Sequence, residues 1–208
     1  MKKKNIAILT GTRAEFGILT PILHALQKSK KLRPHLIVTG MHLQPEFGYT
    51  IRDIESSGIP IAAAVDMYRP NDLPAASLGR AITRLGVELP LIKPDLLLLL
   101  GDRLEMLAAA SAALASHIPI AHLHGGETAP GTWDEQIRHA ITKLAHLHFP
   151  ATKRAAQRIR QMGEDPQMIH AIGDPALDTL RLQTRSLAWK RKAEGPLLLL
   201  LHPSSPDD

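Results

Sequence analysis

The chain has 208 residues, of which 44% are hydrophobic and only 3% aromatic, so there is enough apolar material for one large domain or two small ones. It contains no cysteine, which excludes a disulfide framework and thiolate metal sites. The net charge of +5 suits an anionic partner. Because the basic residues are scattered and stacking aromatics are few, an anionic small molecule is favoured over nucleic acid.

Membrane and targeting signals are weak in this sequence. The basic start of the chain is followed by an apolar run that ends at Leu9, which is too short for the core of a signal peptide. A second apolar run, Leu96–Leu100, is far below the length that crosses a bilayer. The sequence therefore predicts a cytoplasmic protein with no membrane partner.

Short apolar runs alternate with stretches of helical periodicity along the chain. Strands are predicted over residues 5–10, 35–39, 59–65, 96–100, 118–123, 146–149 and 168–172. Helices are predicted over residues 14–30, 45–57, 73–91, 104–116, 133–144, 153–162 and 175–183. Continuously apolar strands are typical of a parallel sheet that is covered on both faces, so the pattern predicts a doubly wound, Rossmann-like α/β domain.

The pattern changes after residue 184. Residues 185–195 are basic and polar, and residues 197–201 form a new apolar run that ends at His202. The sequence predicts a Rossmann-like domain over residues 1–184. Over residues 185–208 it predicts a linker and the first strand of a second domain that is otherwise missing.

In doubly wound sheets, ligands collect at the carboxyl ends of the strands. Each polar or glycine residue there also has an ordinary explanation, such as a plain turn, a helix N-cap at Asp102 or a buried histidine at His42. No spacing among the histidines is that of a metal site, so no metal is predicted. The candidate residues that follow the predicted strands are Gly11, Arg13, His42, Asp102, Arg103 and Glu127.

The stretch GGETAPGTWDEQIRHAITK, which begins at Gly125, joins a strand end to a predicted helix. Thr132 is positioned to cap that helix, and Glu135, three residues later, would complete a capping box. Asp134 and Arg138 lie four residues apart and therefore share a helix face. Capping alone does not explain the two glycines and the acid that directly follow the strand.

Five motifs occur in one order along nearly the whole chain: TGTRAEFG (10–17), LIVTGMHLQPEFG (36–48), KPDLLLLLGDRLEMLAAA (93–110), IPIAHLHGGETAPGTWDEQIRHAITKLAHLHF (118–149) and the segment around GEDP and IGDPALD (163–178). Together they resemble the hydrolysing UDP-N-acetylglucosamine 2-epimerases of the bacterial sialic-acid pathway. The resemblance implies a GT-B-like architecture, in which two Rossmann-like domains face each other across a cleft. This chain would supply the N-terminal domain.

The resemblance also implies a reaction in which UDP-GlcNAc and water give N-acetylmannosamine and UDP, without a metal or any other cofactor. UDP is eliminated across C1 and C2 to leave a 2-acetamidoglucal, and water then adds with inversion at C2. Removal of the C2 proton needs a base, its return from the other face needs an acid, and the departing diphosphate needs cationic support.

The family pattern assigns roles to particular residues but leaves open which carboxylate acts at which step. The expected partners are a UDP-sugar and either further copies of the chain or a separate C-terminal half. The implied site residues are Asp102, Glu127 and Glu135 as acid–base groups, His202 beside the departing phosphate, and Gly11, Arg13, His42 and Arg103 for substrate binding.

Other functions stay open at this point. Members of the family continue well beyond the end of this sequence, so a non-enzymatic Rossmann-like domain that binds a partner chain is one alternative. Half of a GT-B glycosyltransferase is another, although the carboxylates exceed what sugar transfer by a retaining enzyme of that class needs. UDP-GlcNAc and a bacillosamine-type UDP-diacetamido sugar both fit as the substrate.

Overall fold

The computed structural model describes residues 2–184, which form a six-stranded sheet with helices on both faces. The strands are β1 Lys4–Thr10, β2 Leu32–Thr39, β3 Ile61–Val65, β4 Leu96–Leu100, β5 Ile120–Leu123 and β6 Leu147–Phe149. The helices are α1 Arg13–Lys28, α2 Ile51–Ser56, α3 Pro74–Ile92, α4 Leu104–Ala115, α5 Trp133–Leu144, α6 Lys153–Gln161 and α7 Pro175–Thr184. No helix within this part of the chain combines the length and the apolar character needed to cross a bilayer.

All neighbouring strands are parallel, in the order β3-β2-β1-β4-β5-β6. The chain starts in the middle of the sheet, builds outwards through β2 and β3, and then crosses to β4 on the other side of β1. A crevice forms outside the carboxyl ends of β1 and β4, where the direction of winding reverses. The predicted doubly wound α/β class is confirmed.

The central strands are buried on both faces, which explains their continuous apolar sequence. Leu97 and Leu99 of β4 pack with residues of α3, α4 and α5, whereas Leu98 and Leu100 pack with residues of α1 and α2. None of these four leucines is more than 6% exposed. Because successive side chains of a strand point to opposite faces, one run of leucines contributes to both cores.

The single helix predicted over residues 45–57 is wrong. Residues Pro45–Phe47 form one turn of 3-10 helix, and α2 begins only at Ile51. Gly48 and Tyr49 separate the two with φ angles of 87° and 48°. Left-handed backbone cannot continue a right-handed helix, so the periodicity runs across a break that the apolar pattern does not register.

The strand predicted over residues 168–172 is also wrong. Ile169 makes an isolated bridge to His148 of β6, and the preceding segment Pro166–Met168 is a turn of 3-10 helix. The His170 amide still donates to the carbonyl of His148 at 2.8 Å. β6 is only three residues long, so it offers too short an edge for a ladder to extend.

Candidate active site

A cavity of about 860 Å³ opens at the carboxyl ends of the strands, at the switch point between β1 and β4. Segments that follow β1, β2, β3, β4 and β5 all contribute to its walls. The sheet therefore gathers residues that are far apart in the sequence, and the volume is within the range of pockets that hold small molecules. Among the predicted site residues, Asp102, Arg103 and Glu127 line it.

Asp102 lies in the turn between β4 and α4. Its carboxylate forms an ion pair with Arg138 of α5, and the two side chains are only 21% and 13% exposed. The alternative of a helix N-cap is wrong, because Arg103 occupies the cap position of α4 and makes no side-chain cap. The ion pair ties the end of β4 to the first turns of α5 across the cavity wall.

His122 of β5 stabilises that turn through a hydrogen bond to its backbone. Its Nε2 donates to the carbonyl of Gly101 at 2.7 Å, and its Nδ1 lies 3.1 Å from the hydroxyl of Thr142. Burial lowers the pKa of His122 to about 4, so the ring is neutral near pH 7. A neutral ring that donates from Nε2 holds the residue directly before Asp102 in place.

The loop that contains Glu127 packs closely against α6. Glu127 Oε1 accepts a hydrogen bond from the hydroxyl of Thr152 at 2.9 Å, and Arg158 donates to the carbonyl of Gly126. Gly126 has a φ of 76°, and a Cβ built on it would lie 2.5 Å from the carbonyl oxygen of Ala155. Only glycine fits here, and the close packing fixes the position of Glu127 at the cavity wall.

His124 lines the same cavity, although it is not among the site residues predicted from the sequence. It has a φ of 59°, which is uncommon for a residue other than glycine and tends to occur at functional sites. Its Nε2 lies 3.5 Å from Oδ1 of Asp174. The signal in the sequence is its position, since this histidine follows a strand and precedes two glycines.

The two adjacent acids at the start of α5 face different surroundings. Asp134 lines the large cavity together with Arg138. Glu135 instead lines a second cavity of about 550 Å³, where its Oε1 lies 3.7 Å from Nε2 of His139. Asp134 and Arg138 share a helix face as predicted, since both line the large cavity, and the charge partner of Arg138 is Asp102.

The capping box predicted at the start of α5 is wrong as well. The Thr132 hydroxyl donates to the carbonyl of Ala129, and Glu135 Oε2 accepts from the amide of Ala129 at 2.8 Å. A complete capping box occurs at α1 instead, between Thr12 and Glu15. Both sites have the pattern of threonine followed by glutamate three residues later, and the neighbouring turn decides which one forms a box.

Four side chains at the inner end of the cavity, Glu15, Tyr68, Arg103 and Glu105, form a group that we call the floor cluster. Glu105 Oε1 accepts from the Tyr68 hydroxyl at 3.1 Å and from Nη2 of Arg103 at 3.2 Å. Arg103 Nε lies 3.9 Å from Glu15 Oε1. Of these four residues, only Arg103 is predicted from the sequence.

Two glycines make room for the buried carboxylate of Glu105. A Cβ on Gly40, whose φ is 62°, would lie 2.6 Å from Glu105 Oε1, and one on Gly11 would lie 3.0 Å from its Cγ. Gly11 also donates its amide to Glu15 Oε2 at 2.7 Å. Within the described chain, Gly11 therefore lies close to the side chains of Glu105 and Glu15.

The floor cluster shifts the acidity of its members. Burial raises the pKa of Glu15 to about 7, with Glu105 adding repulsion, and burial with the same neighbour raises the pKa of Tyr68 to about 12. Burial alone would lower the pKa of Arg103, but the carboxylates of Glu105 and Glu15 outweigh it and raise that pKa. The cluster therefore contains a carboxyl group that titrates near neutral pH.

Glu15→Gln is expected to remove a pH dependence of stability. Because Glu15 binds its proton more tightly in the folded state, its favourable contribution is complete below pH 4.5 and is lost as the pH rises through about 7. The free energy of unfolding of the wild type should fall by about 3 kcal/mol relative to the variant between pH 4.5 and 8. Urea unfolding at a series of pH values measures this. Parallel curves for the two proteins would contradict the assignment, and the exposed Glu55→Gln serves as control.

The remaining predicted residues lie away from the cavity or outside the described residues. Arg13 is exposed in the first turn of α1, beside the lining residues Thr12 and Ala14. His42 is fully buried, with Nε2 3.1 Å from the Thr10 hydroxyl and Nδ1 hydrogen-bonded to Thr50. Burial lowers its pKa. Position 202, predicted as a catalytic histidine, lies outside the described residues.

No group of three or more histidine, aspartate or glutamate side chains between residues 2 and 184 is arranged to hold a metal ion. The family model described as UDP-N-acetylglucosamine 2-epimerase matches residues 24–208. The chain belongs to the UDP-N-acetylglucosamine 2-epimerase family. The resemblance of its motifs to this family is confirmed.

Curated members of the epimerase family are similar over most of this chain. A UDP-N,N'-diacetylbacillosamine 2-epimerase (hydrolyzing) from Legionella pneumophila is 39% identical over 96% of this chain and 55% of its own length. A UDP-N-acetylglucosamine 2-epimerase from Neisseria meningitidis is 39% identical over 87% of this chain and 48% of its own length. The chain thus spans about half the length of the curated relatives it matches.

Solved epimerase structures share the fold. A UDP-GlcNAc 2-epimerase from Neisseria meningitidis bound to UDP-GlcNAc matches with a TM-score of 0.78 at 20% identity, over 88% of this chain and 50% of its own. The enzyme from Methanocaldococcus jannaschii in complex with UDP-GlcNAc and UDP matches with a TM-score of 0.74 at 22% identity, over 88% and 51%. The predicted fold, one Rossmann-like half of a GT-B-like architecture, is confirmed.

Proposed function

We propose that this chain provides the acid–base half of a hydrolysing UDP-N-acetylglucosamine 2-epimerase, which converts UDP-GlcNAc and water to N-acetylmannosamine and UDP. The observation that carries the proposal is the arrangement of three carboxylates, Asp102, Glu127 and Asp134, around one cavity of a chain that belongs to the epimerase family. They come from the turn after β4, the loop after β5 and the first turn of α5. Groups on separate walls can reach different faces of one sugar ring.

The chemistry needs proton transfer at C2 and support for the leaving group. A base takes the C2 proton as the bond from C1 to the diphosphate oxygen breaks, and UDP leaves with that electron pair. Water then adds its oxygen to C1, and an acid returns a proton to C2 from the opposite face. Asp102, Glu127, Asp134 and His124 are cavity-lining groups that can exchange protons. Arg138 holds the carboxylate of Asp102, and Thr152 holds that of Glu127.

Three predicted residues have less direct support. Glu135 lies in the neighbouring cavity, so Asp134 is the better placed acid of that pair. The role of position 202 beside the departing phosphate stays a prediction. Arg13, exposed beside the cavity at the start of α1, is proposed to meet the diphosphate at the cavity mouth.

The wider assembly belongs to the same proposal. Residues 185–208 are proposed to lead into a second Rossmann-like domain that holds the nucleotide, either in a longer natural product or in a separate chain. A homo-oligomer, a cytoplasmic location and a place in sialic-acid biosynthesis are proposed with it. These rest on the family and on the half-length match to the curated relatives.

The test is turnover by the natural full-length gene product in heavy water. Release of UDP from UDP-GlcNAc, with deuterium at C2 of the N-acetylmannosamine formed, is the expected result, because the C2 proton is exchanged with solvent. No turnover of any UDP-N-acetyl sugar would contradict the proposal and favour a partner-binding domain.

A second substrate has a specific observation behind it. The Legionella relative named as a UDP-N,N'-diacetylbacillosamine 2-epimerase matches at 39% identity over 96% of this chain. The same assay with that UDP-diacetamido sugar distinguishes the two substrates by their kcat/KM.

A further inference from the structure

Glu105, a cavity-lining residue, has a buried carboxylate oxygen that no described residue satisfies. Glu105 is fully buried and lines the cavity. Its Oε1 is occupied by Tyr68 and Arg103, whereas its Oε2 has no hydrogen-bond partner among residues 2–184. Buried polar atoms are nearly always paired because an unpaired one loses its bonds to water without replacement. An unpaired, buried acceptor on a cavity-lining residue therefore indicates a place for a ligand donor.

An unpaired donor lies in the same group of side chains. Arg103 Nε is buried and has no hydrogen-bond partner in the described chain, since the nearest carboxylate oxygen, on Glu15, is 3.9 Å away. Its guanidinium contacts the Glu105 carboxylate at 3.2 Å through Nη2. The free donor and the free acceptor thus belong to two groups that touch each other. A ligand group that both donates and accepts would satisfy the two together.

The charge balance of the floor cluster opposes a phosphate at this place. One guanidinium, that of Arg103, faces the carboxylates of Glu15 and Glu105 at 3.9 Å and 3.2 Å. Two acids around one base leave no surplus positive charge, whether or not Glu15 carries a proton. A diphosphate would meet repulsion that is strong in a buried environment.

We infer that the floor cluster is a subsite for a neutral substituent of the sugar ring, a hydroxyl or an acetamido group, which donates to Glu105 Oε2 and accepts from Arg103 Nε. This inference rests on the proposed function, and it deepens that proposal by orienting the substrate. The sugar lies at the inner end of the cavity near β1 and β4, and the diphosphate lies towards the mouth. Arg103, which the family resemblance implies for substrate binding, therefore contacts the sugar and not the diphosphate.

The test separates binding of the sugar from binding of the nucleotide. Glu105→Gln keeps the shape of the side chain but places an amide donor where the free acceptor stands. Arg103→Lys keeps the positive charge but removes the Nε donor. In the full-length gene product, each variant is expected to lower kcat/KM for UDP-GlcNAc roughly ten- to a hundredfold, as expected for hydrogen bonds to charged groups. The inhibition constant for UDP should be unchanged.

Matched controls make the same chemical changes elsewhere. Glu55→Gln and Arg84→Lys alter exposed residues of α2 and α3 and should leave both constants at wild-type values. Tyr68→Phe removes one bond to Glu105 with little disturbance of the fold and should give a smaller loss of kcat/KM than Glu105→Gln. Thermal unfolding of every variant shows whether a loss of kcat/KM comes from instability. If Glu105→Gln is unstable, the inference is tested with the milder Tyr68→Phe.

Each result that would contradict the inference has a different meaning. A rise in the UDP inhibition constant equal to the fall in kcat/KM would place the diphosphate at the floor cluster and overturn the inference. Values for Glu105→Gln that match those of Glu55→Gln would show that no substrate group binds there. A wild-type protein that turns over no UDP-sugar would instead overturn the proposed function, and the inference with it. The ratio of losses for UDP-GlcNAc and the UDP-diacetamido sugar shows whether the bound substituent is one that differs between them.

Discussion

Asp102→Asn is expected to lower kcat for release of UDP from UDP-GlcNAc by roughly a thousandfold, which lies within the contribution of a positioned acid–base group. The amide keeps the size of the side chain but can neither take up nor return a proton at catalytic rates. It also replaces the charged partner of Arg138 by a neutral one. Steady-state kinetics of the full-length gene product measure the effect.

Asp53→Asn is the matched control, because it makes the same change at an exposed position of α2. Its kcat should equal that of the wild type. A loss of kcat that is accompanied by an equal fraction of unfolded protein would assign Asp102 a structural role only. A variant that is folded and retains wild-type kcat would remove Asp102 from the acid–base groups.

Gly126→Ala is expected to reduce the free energy of unfolding by about 3 kcal/mol and to impair catalysis as well. The new Cβ would lie 2.5 Å from the carbonyl oxygen of Ala155 and 2.7 Å from Cγ1 of Ile159. The φ of 76° adds the strain of an L side chain in left-handed backbone. Relief of the contact requires the loop to move off α6, and this displaces Glu127 from the cavity wall.

The control isolates the clash from the backbone strain. Gly163, which follows the C-cap residue of α6, has a φ of 88° and open space around its Cβ position. Gly163→Ala should therefore cost only about 1 kcal/mol, the strain contribution alone. Urea unfolding of both variants gives the difference. Equal losses would mean that the contact with α6 does not hold the loop.

The elements of the fold that the sequence predicts best are those with clear ends. Leu96–Leu100 and Trp133–Leu144 have the predicted bounds, because a run of leucines meets a glycine in one case and a helical period follows a turn in the other. The break at Gly48 was missed because the apolar period continues on both sides of it. Hydrophobic periodicity indicates which residues are buried, and it does not change where one or two residues adopt a left-handed backbone conformation.

The site shows the same division between local and tertiary information. Asp102 could be predicted because any residue directly after a buried parallel strand reaches the ligand edge of the sheet. The choice between Asp134 and Glu135 could not, because neighbouring residues on a helix point about 100° apart and the rotation of α5 is set by its packing. Glu105 resembles an ordinary acid in the first turn of a helix, and its burial arises only when β1, β2 and β4 end around it.

Glu15 belongs to two structures at once. It completes the cap of α1 by accepting from the amides of Gly11 and Thr12, and it forms part of the cavity floor beside Arg103. Any substitution that alters charge at the floor through position 15 also loosens the start of the first helix. For the sugar subsite proposed above, engineering of a new preference is therefore better directed at Tyr68, which donates to Glu105 but caps no helix. Most substitutions at position 15 would destabilise the fold, and this limits their use for changing substrate specificity.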